Sequence, residues 1–392
     1  MKTINLLLPI ALLGLMAAPN TYAAETSNKE LHKLINQQQK QLETLEAQME
    51  ATASQLETTM SASTGSASKT SIGGYGELHY NNLDGEGGAS DKKEIDFHRF
   101  VLFFGHEFSK TVRFWSELEL EHSIAGEGKA GEIELEQAYI EVDLNQKHKT
   151  RFGMTLVPVG IINETHEPTV FYGTERNPVE KNIIPATWWA AGVSVLGELA
   201  LGWSYEVAVH EGLNTAEADK YTPRKGRQKT GKAQADNLAY TGRIKWTGLA
   251  GVEVAATIQQ QDDITQGNDV TAGSANLFEL HGIYNKGPFT LKALYAQWSL
   301  DGAGPKALGA DEQSGWYVEP SYKINEKIGV FARYNQYDNA AGDSAASEKQ
   351  QTDVGINWWV HPNVVVKADY QTQDNDNGKD QNGINLGMGY MF

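Results

Sequence analysis

The chain has 392 residues, no cysteine and a formal net charge of −17 at pH 7. The negative charge opposes binding to nucleic acid, and the absence of cysteine excludes disulfides, thiolate metal ligands and thiol nucleophiles. Only the N-terminus carries a long apolar run, which excludes a multi-helix membrane protein but not a membrane β-barrel, whose strands alternate apolar and polar residues.

The N-terminal segment is typical of a secretory signal. Lys2 precedes an apolar stretch over residues 4–18, and the small residues Thr21 and Ala23 follow it. This order of charged, apolar and small residues predicts a signal peptide over 1–23, which is removed after export.

Residues 24–57 are predicted to form a periplasmic α-helical coiled coil. From residue 28 onward this segment is rich in Gln, Glu, Lys and Leu and lacks Gly and Pro, a composition that favours helix. Its apolar residues recur every seven positions, at Ile35, Leu42, Met49 and Leu56. This repeat is typical of a coiled coil of about four heptads, with a lone solvated helix as the alternative. The Ser/Thr/Ala/Gly-rich residues 58–70 are predicted to form a flexible linker.

The remainder, 71–392, is predicted to form an all-β, sixteen-stranded antiparallel transmembrane barrel. Apolar and polar residues alternate in segments of about ten residues, the length of a tilted membrane-crossing strand. The predicted strands are 71–82, 94–107, 110–121, 131–143, 149–157, 187–196, 198–210, 236–247, 251–262, 276–287, 288–299, 313–324, 327–338, 350–360, 362–373 and 381–392.

The connections between these strands alternate between short and long, and one short turn is predicted at residues 196–198. Outer-membrane barrels have short periplasmic turns and longer outer loops, so the alternation favours that class over a soluble sandwich. The last strand ends on Tyr390 and Phe392. These aromatic residues are predicted to form the signal that the barrel assembly machinery reads.

The longest connection, residues 157–186, contains four prolines together with apolar residues that favour burial. A long loop with apolar content is expected to pack against another part of the protein. Within a barrel, the surface available to it is the wall of the lumen.

In this region the sequence resembles the phosphate-selective porin O/P family. The matching residues are Arg151-Phe152-Gly153, Pro158-Val159-Gly160, Glu175-Arg176-Asn177-Pro178, and Pro185 leading into Trp188-Trp189. The resemblance implies a homotrimeric sixteen-stranded porin whose third loop folds inward to narrow the pore. Phosphate-selective members are described as having a ladder of lumenal arginines and a lysine cluster, and some relatives carry an N-terminal coiled coil. This chain departs from that pattern, because its barrel positions carry charges of both signs, so phosphate is not carried over from the family name.

Charged residues of the longest connection are the candidates for the pore constriction, because polar groups at the narrowest point decide which ions pass. The candidates are Glu164, His166, Glu167, Glu175, Arg176, Glu180 and Lys181. The alternative is that they brace the loop by ion pairs. For Arg176 we favour bracing, through a bidentate carboxylate contact with the wall.

Basic residues at predicted barrel positions are candidates for lumenal charge: Arg99, Arg113, Arg151, Arg243, Lys245, Arg333 and Lys367. Carboxylates at other barrel positions oppose them, namely Glu117, Glu119, Glu121, Glu134, Glu136, Glu253 and Asp369. Such a mixture predicts a transverse field and modest selectivity, in contrast to a ring of one sign.

A basic run follows the seventh strand: Lys220, Arg224, Lys225, Arg227, Lys229 and Lys232. This run is a candidate for attracting anions to the mouth, or for binding lipopolysaccharide phosphates or a neighbouring subunit. A solvated exposed loop is the alternative.

We expect no catalytic residues, no metal site and no cofactor. The sequence contains no nucleophile elbow and no phosphate-binding loop. The outer-loop aspartates over 374–380, with Asp338 and Asp343, are expected to remain solvated in preference to binding Ca²⁺. His79, His98 and His122 are expected to line water.

The sequence therefore predicts a channel for passive diffusion of small hydrophilic solutes, including anions such as phosphate, and not an enzyme. We expect it in the outer membrane of a Gram-negative bacterium, in contact with lipid and lipopolysaccharide, with the coiled coil in the periplasm. The alternative function is a structural tether, in which residues 24–57 contact peptidoglycan or a periplasmic partner.

Overall fold

The computed structural model describes residues 69–392. The predicted signal peptide (1–23), the predicted coiled coil (24–57) and the predicted linker up to residue 68 lie outside the described residues. Among the described residues, no helix is long and apolar enough to cross a membrane.

Residues 70–391 form one closed antiparallel barrel of sixteen strands, which confirms the predicted fold class. The strands are β1 (Thr70–Gly85), β2 (Lys92–Glu107), β3 (Val112–Glu121), β4 (Ile133–Asp143), β5 (His148–Leu156), β6 (Trp189–Ala200), β7 (Trp203–His210), β8 (Ala239–Trp246), β9 (Val252–Gln261), β10 (Ala272–Lys286), β11 (Phe289–Gly302), β12 (Glu312–Lys323), β13 (Ile328–Asp338), β14 (Lys349–His361), β15 (Val364–Gln373) and β16 (Gln381–Met391).

The barrel closes between its first and last strands. Tyr75 lies opposite Met391 in the register of β1 and β16. Beyond that pair, the backbone N–H of Gly74 donates to the carbonyl of Phe392 at 3.0 Å, and the N–H of Phe392 donates to the carbonyl of Gly74 at 2.9 Å. The C-terminal residue thereby completes the ladder and leaves the sheet without an open edge.

The short and long connections alternate as the sequence predicts, but one predicted turn is wrong. Residues 196–198 belong to β6, and the chain reverses at residues 201–202. Gly202 has a φ of +76° there, a conformation that a residue with a side chain adopts only at a cost. The sequence does not indicate this reversal, because apolar and polar residues continue to alternate through the turn.

The long connections contain four short helical segments: α1 (Pro178–Asn182), α2 (Ala303–Ala307), and two 3₁₀ turns at Glu217–Asp219 and Pro223–Gly226. Asn177 caps α1, because its side chain accepts a hydrogen bond from the backbone N–H of Glu180.

The two faces of the strands differ in chemistry. On the outer face Val207, Tyr240 and Trp358 are 53%, 55% and 50% exposed. Their sequence neighbours Glu206 and Asn357 face inward and are buried. This alternation places an apolar surface towards lipid and a polar surface inside the barrel.

Candidate functional site

All the basic residues predicted as lumenal charge lie on the inner side of the strands, among inward-facing carboxylates. The Nε atom of Arg99 lies 2.6 Å from Glu77, and that of Arg151 lies 3.0 Å from Glu141. Arg113 is also paired with Glu141, at 3.0 Å. These contacts make the arginines members of ion pairs and not a ladder of free cations.

The remaining lumenal candidates also form ion pairs or hydrogen bonds. Arg333 lies 3.2 Å from Glu319 and 3.1 Å from Asp353. Lys245 lies 3.7 Å from Glu253. Arg243 binds both carboxylate oxygens of Glu164, and Lys367 donates to a loop carbonyl. The role of these charges in conduction stays a prediction.

Residues 157–188, which we call the long loop, carry their own polar scaffold. One carboxylate oxygen of Glu180 accepts the backbone N–H groups of Ile161 at 2.9 Å and Ile162 at 2.6 Å. The other oxygen accepts the hydroxyl of Tyr317 on β12 at 2.7 Å. Glu180 is 0% exposed, so the prediction that it lines the constriction is wrong. Its carboxylate instead satisfies backbone groups that burial would leave unpaired.

One end of the long loop packs on an apolar wall, which we call the apolar anchor. It joins the loop residues Val179, Ile183, Ile184 and Trp188 to the inward-facing Leu277, Leu294, Trp298 and Tyr317 of β10–β12. The indole N–H of Trp298 also donates to the carbonyl of Ile183 at 2.8 Å. Burial of this many large side chains is the main stabilising contribution at this end.

A second part of the long loop, residues 171–175, is held by polar side chains of β13–β15, which we call the polar anchor. Asn357 donates to the carbonyl of Phe171 at 3.1 Å, and Lys367 donates to that of Gly173 at 2.8 Å. Arg333 donates to the carbonyls of Tyr172 and Glu175, both at 3.3 Å. The carboxylate of Asp369 accepts the N–H of Thr174 at 2.7 Å. The wall thus supplies the hydrogen bonds that an irregular buried segment lacks.

A glycine on β16 allows the long loop to lie close to that strand. A Cβ atom at Gly389 would lie 2.4 Å from the side chain of Pro168. The strand therefore needs a residue without a side chain where the long loop approaches it most closely.

Glu175 links the long loop to the first two strands. Its Oε1 atom lies 3.0 Å from Asn81, 3.3 Å from His79 and 3.5 Å from Lys92. Burial raises the pKa of Glu175, but the hydrogen bond from His79 and the nearby cations outweigh burial and hold the pKa well below its ordinary value. Glu175 is therefore ionised and anchors the loop.

The other predicted constriction residues divide into two groups. His166 is only 3% exposed and faces carboxylates of β3 and β4, so the prediction that it lines the pore constriction is wrong. Glu164, Glu167 and Arg176 are partly exposed, and Lys181 is exposed. Burial raises the pKa of Glu164, but Arg243 outweighs burial and lowers it.

Arg176 braces the loop, but not in the predicted way. Its guanidinium donates to the hydroxyl of Thr187 at 2.6 Å and to the carbonyl of His166 at 3.5 Å. No carboxylate of the described residues lies within 4.0 Å of it, so the predicted bidentate contact with the wall is wrong. The wall carboxylates near the loop are paired with Arg99, Arg243 and Arg333 instead.

Two arginines of the predicted basic run fold onto the same point of the long loop. Arg224 donates to the carbonyl of Ala186 at 2.6 Å, and Arg227 donates to the carbonyl of Thr187. With Arg176 they form a group that we call the arginine cluster. Within residues 69–392, none of the three forms an ion pair with a carboxylate. Burial and the guanidinium groups of Arg227 and Arg176 lower the pKa of Arg224 to about 9.

The rest of the basic run does not act as one surface. Lys229 pairs with Glu132 at 2.9 Å and also contacts Glu134. Lys220, Lys225 and Lys232 are exposed. The single anion-attracting loop expected from the sequence is therefore divided between a partly buried cluster, a paired lysine and three solvated side chains.

A cavity of about 380 Å³ lies inside β5–β8, between the β4–β5 turn and Glu164. Basic side chains outnumber acidic ones in its lining: Lys147, Lys149, Arg151, Arg243 and Lys245 against Glu164, Glu198 and Glu206.

Sequence reasoning missed the residues that hold the long loop, among them Asn163, Tyr317 and Asn357. Asn163 exchanges hydrogen bonds with the backbone of Trp188, at 3.0 Å and 2.6 Å. Strand parity could have indicated the inward-facing members, but only the path of the loop identifies those that it contacts.

The predicted assembly residues lie at the barrel seam. The ring of Phe392 stacks 6.3 Å from Tyr390 and 6.3 Å from Phe100 of β2. Their role as an assembly signal stays a prediction.

Residues 72–392 match the model of the family described as phosphate-selective porin O and P. The chain belongs to this family. It is therefore an outer-membrane porin, and the expected family resemblance is confirmed. The family fold is that of a channel protein and not of an enzyme.

Two relatives match this chain in sequence, and one of them is a porin. An uncharacterized protein of Aquifex aeolicus (strain VF5) is 32% identical over 367 residues, which cover 82% of this chain and 80% of the relative. Porin O of Pseudomonas aeruginosa is 26% identical over 200 residues, which cover 40% of this chain and 45% of the relative.

Solved porin structures share the fold at low sequence identity. An anion-selective porin from Comamonas acidovorans superposes with a TM-score of 0.58 at 12% identity, covering 82% of this chain and 99% of that one. The trimer form of OmpT of Vibrio cholerae has a TM-score of 0.53 at 11% identity, with the same coverages.

Proposed function

We propose that this porin is a passive channel whose passage is narrowed by the long loop and which favours small hydrophilic anions such as phosphate. The observation that carries the anion preference is the arginine cluster, whose three guanidinium groups have no carboxylate within 4.0 Å among the described residues. Guanidinium groups without a directly paired carboxylate attract anions and repel cations.

The surroundings of the cluster support this assignment. Burial and the neighbouring guanidinium groups of Arg227 and Arg176 both lower the pKa of Arg224, and an anion in transit relieves the repulsion between these like charges. The paired charges elsewhere in the barrel keep the selectivity modest.

The long loop is suited to narrow the passage because it contacts the inner wall on many sides. Its hydrogen bonds and ion pairs reach β1, β3, β8, β12, β13 and β15. We also propose a homotrimer in the outer membrane of a Gram-negative bacterium, since OmpT of Vibrio cholerae, which shares the fold, has a trimer form.

The test is the reversal potential of the refolded protein in planar bilayers under a potassium chloride gradient. We expect the sign to show anion preference, and the double variant R224Q/R227Q to shift it towards cations. Glutamine retains hydrogen-bond donors for the carbonyls of Ala186 and Thr187. The matched control is K225Q/K232Q, which removes the same charge from exposed positions of the same connection.

Phosphate added to one side should reduce the chloride current of the native channel more than that of R224Q/R227Q. A native channel that prefers cations, or equal shifts in the two double variants, would contradict the proposal.

A further inference from the structure

Three buried side chains from three separate elements converge beside the long loop. The Nε2 atom of His166 lies 3.4 Å from an oxygen of Glu117 on β3 and 3.6 Å from an oxygen of Glu136 on β4. The exposed fractions are 3% for His166, 1% for Glu117 and 2% for Glu136.

The orientation of the imidazole is fixed from its other side. Nδ1 of His166 lies 3.1 Å from the carbonyl oxygen of Asn163. Because a carbonyl only accepts, Nδ1 carries a hydrogen, and Nε2 is the atom that faces the two carboxylates. A histidine that donates through one nitrogen to a backbone carbonyl, and so directs the other nitrogen, is the arrangement found around metal-bound imidazole.

The two carboxylates also have features that are expected of metal ligands. The amide of Gln137 donates to the second oxygen of Glu117 at 2.8 Å and so orients that group. The Glu136 oxygen that faces His166 has no hydrogen-bond partner among the described residues, although it is buried. A buried carboxylate oxygen without a partner is costly unless it is protonated or binds a cation.

The distances leave room for a shared cation, because the contact of His166 with Glu117 is a long hydrogen bond and Glu136 lies beyond hydrogen-bond distance. Separations of 3.4 and 3.6 Å exceed the usual hydrogen-bond range of about 2.7–3.2 Å. They equal the separation of about 3.3–3.6 Å between ligand atoms around a tetrahedral ion with bonds of about 2.0–2.2 Å.

We propose that His166, Glu117 and Glu136 bind a divalent transition-metal ion that fastens the long loop to β3 and β4. One imidazole and two carboxylates suit Zn²⁺ or Mn²⁺, with water completing the coordination. The ion neutralises two carboxylates that Arg99 does not pair with, since Arg99 contacts Glu77 and Glu119. Sequence patterns do not indicate this site, because its three residues lie far apart in the chain.

Two other groups of metal-ligating side chains in the described residues are less suited to this role. In the group Asp96, His98 and His122, the carboxylate already forms close contacts with both imidazoles, at 3.1 and 2.8 Å, and the side chains are partly exposed. In the group Glu121, Glu132 and Glu134, Lys229 supplies the positive charge.

The first experiment measures zinc bound to the protein refolded in detergent with one equivalent of Zn²⁺ and then dialysed. We expect about one zinc per chain in the native protein. The double variant E136Q/H166N should retain at least tenfold less, while the control D96N/H98N/H122N should retain the native amount. Heat-modifiable migration in gels verifies that each variant folds.

A second measurement needs no variant. Crystals of the zinc-loaded native protein should give an anomalous difference peak between His166, Glu117 and Glu136. Absence of that peak, no zinc retention by the native chain, or retention by E136Q/H166N equal to the native amount would overturn the proposal. None of these results depends on ion selectivity, so the proposed function is tested separately.

Discussion

The two anchors of the long loop hold neighbouring stretches of chain by different physical means. At the apolar anchor, large side chains such as Ile183 and Trp298 exclude water. At the polar anchor, charged side chains such as Arg333 and Lys367 hold backbone carbonyls. The first depends on shape and buried area, and the second on charge and protonation. The comparison indicates that the contacts of the polar anchor respond to pH more than the side-chain packing of the apolar anchor does.

The largest expected effect is at the polar anchor, in the substitution Arg333→Met. It removes the partner of buried Glu319 and Asp353 and two donors to the long loop. Breaking a buried pair on one side destabilises by about 3–5 kcal/mol. Guanidinium unfolding in lipid vesicles, followed by tryptophan fluorescence, measures the loss. Lys292→Met, whose ammonium lies 3.9 Å from Glu319, is the control, and an equal loss there would contradict the assignment.

At the apolar anchor, Trp298→Phe should destabilise by about 1–3 kcal/mol, because the buried carbonyl of Ile183 loses its hydrogen bond. The loss should be the same at neutral and acidic pH, since no titrating group is removed. The same unfolding assay at two pH values measures it. A loss that varies with pH would show that the anchors are not independent.

Acidification should loosen the polar side of the loop through Glu175. The folded-state pKa of Glu175 is depressed, so its stabilising contribution is present above the ordinary glutamate value of about 4.3 and is lost as the pH falls through the folded value. Its charged neighbours are His79 and Lys92 on the wall and Lys181 on the loop.

Single-channel recordings from about pH 7 down to about pH 3 should therefore show increasing current noise. In E175Q the noise should be high already at neutral pH and change little on acidification. If E175Q shows the same acid-induced change as the native channel, another group is responsible.

The smallest effect is expected at exposed positions far from both anchors. Lys232→Gln should change the free energy of unfolding by less than about 0.5 kcal/mol, because the side chain is exposed and unpaired among the described residues. The same unfolding assay measures it. A larger change would show that the connection after β7 contributes to the stability of the loop.

The alternation of apolar and polar residues and the alternation of connection lengths were sufficient to predict the barrel. Within a strand, the alternation of apolar and polar residues identifies the two faces. Val207 can therefore be assigned to the outer face and Glu206 to the inner face from a few neighbouring residues. The β6–β7 turn was misplaced because Leu199, Leu201 and Trp203 continue the pattern across it. Only the positive φ of Gly202 marks the reversal.

Sequence alone determined that charges of both signs occupy barrel positions and that residues 157–186 have enough apolar content to favour burial. Only the tertiary structure decided which charges neutralise one another. Arg176, Arg224 and Arg227 meet at residues Ala186 and Thr187, and His166 meets Glu117 and Glu136, through the path of two loops across the barrel. Pairing of this kind depends on distances in space between residues remote in the chain, and local periodicity does not encode those distances.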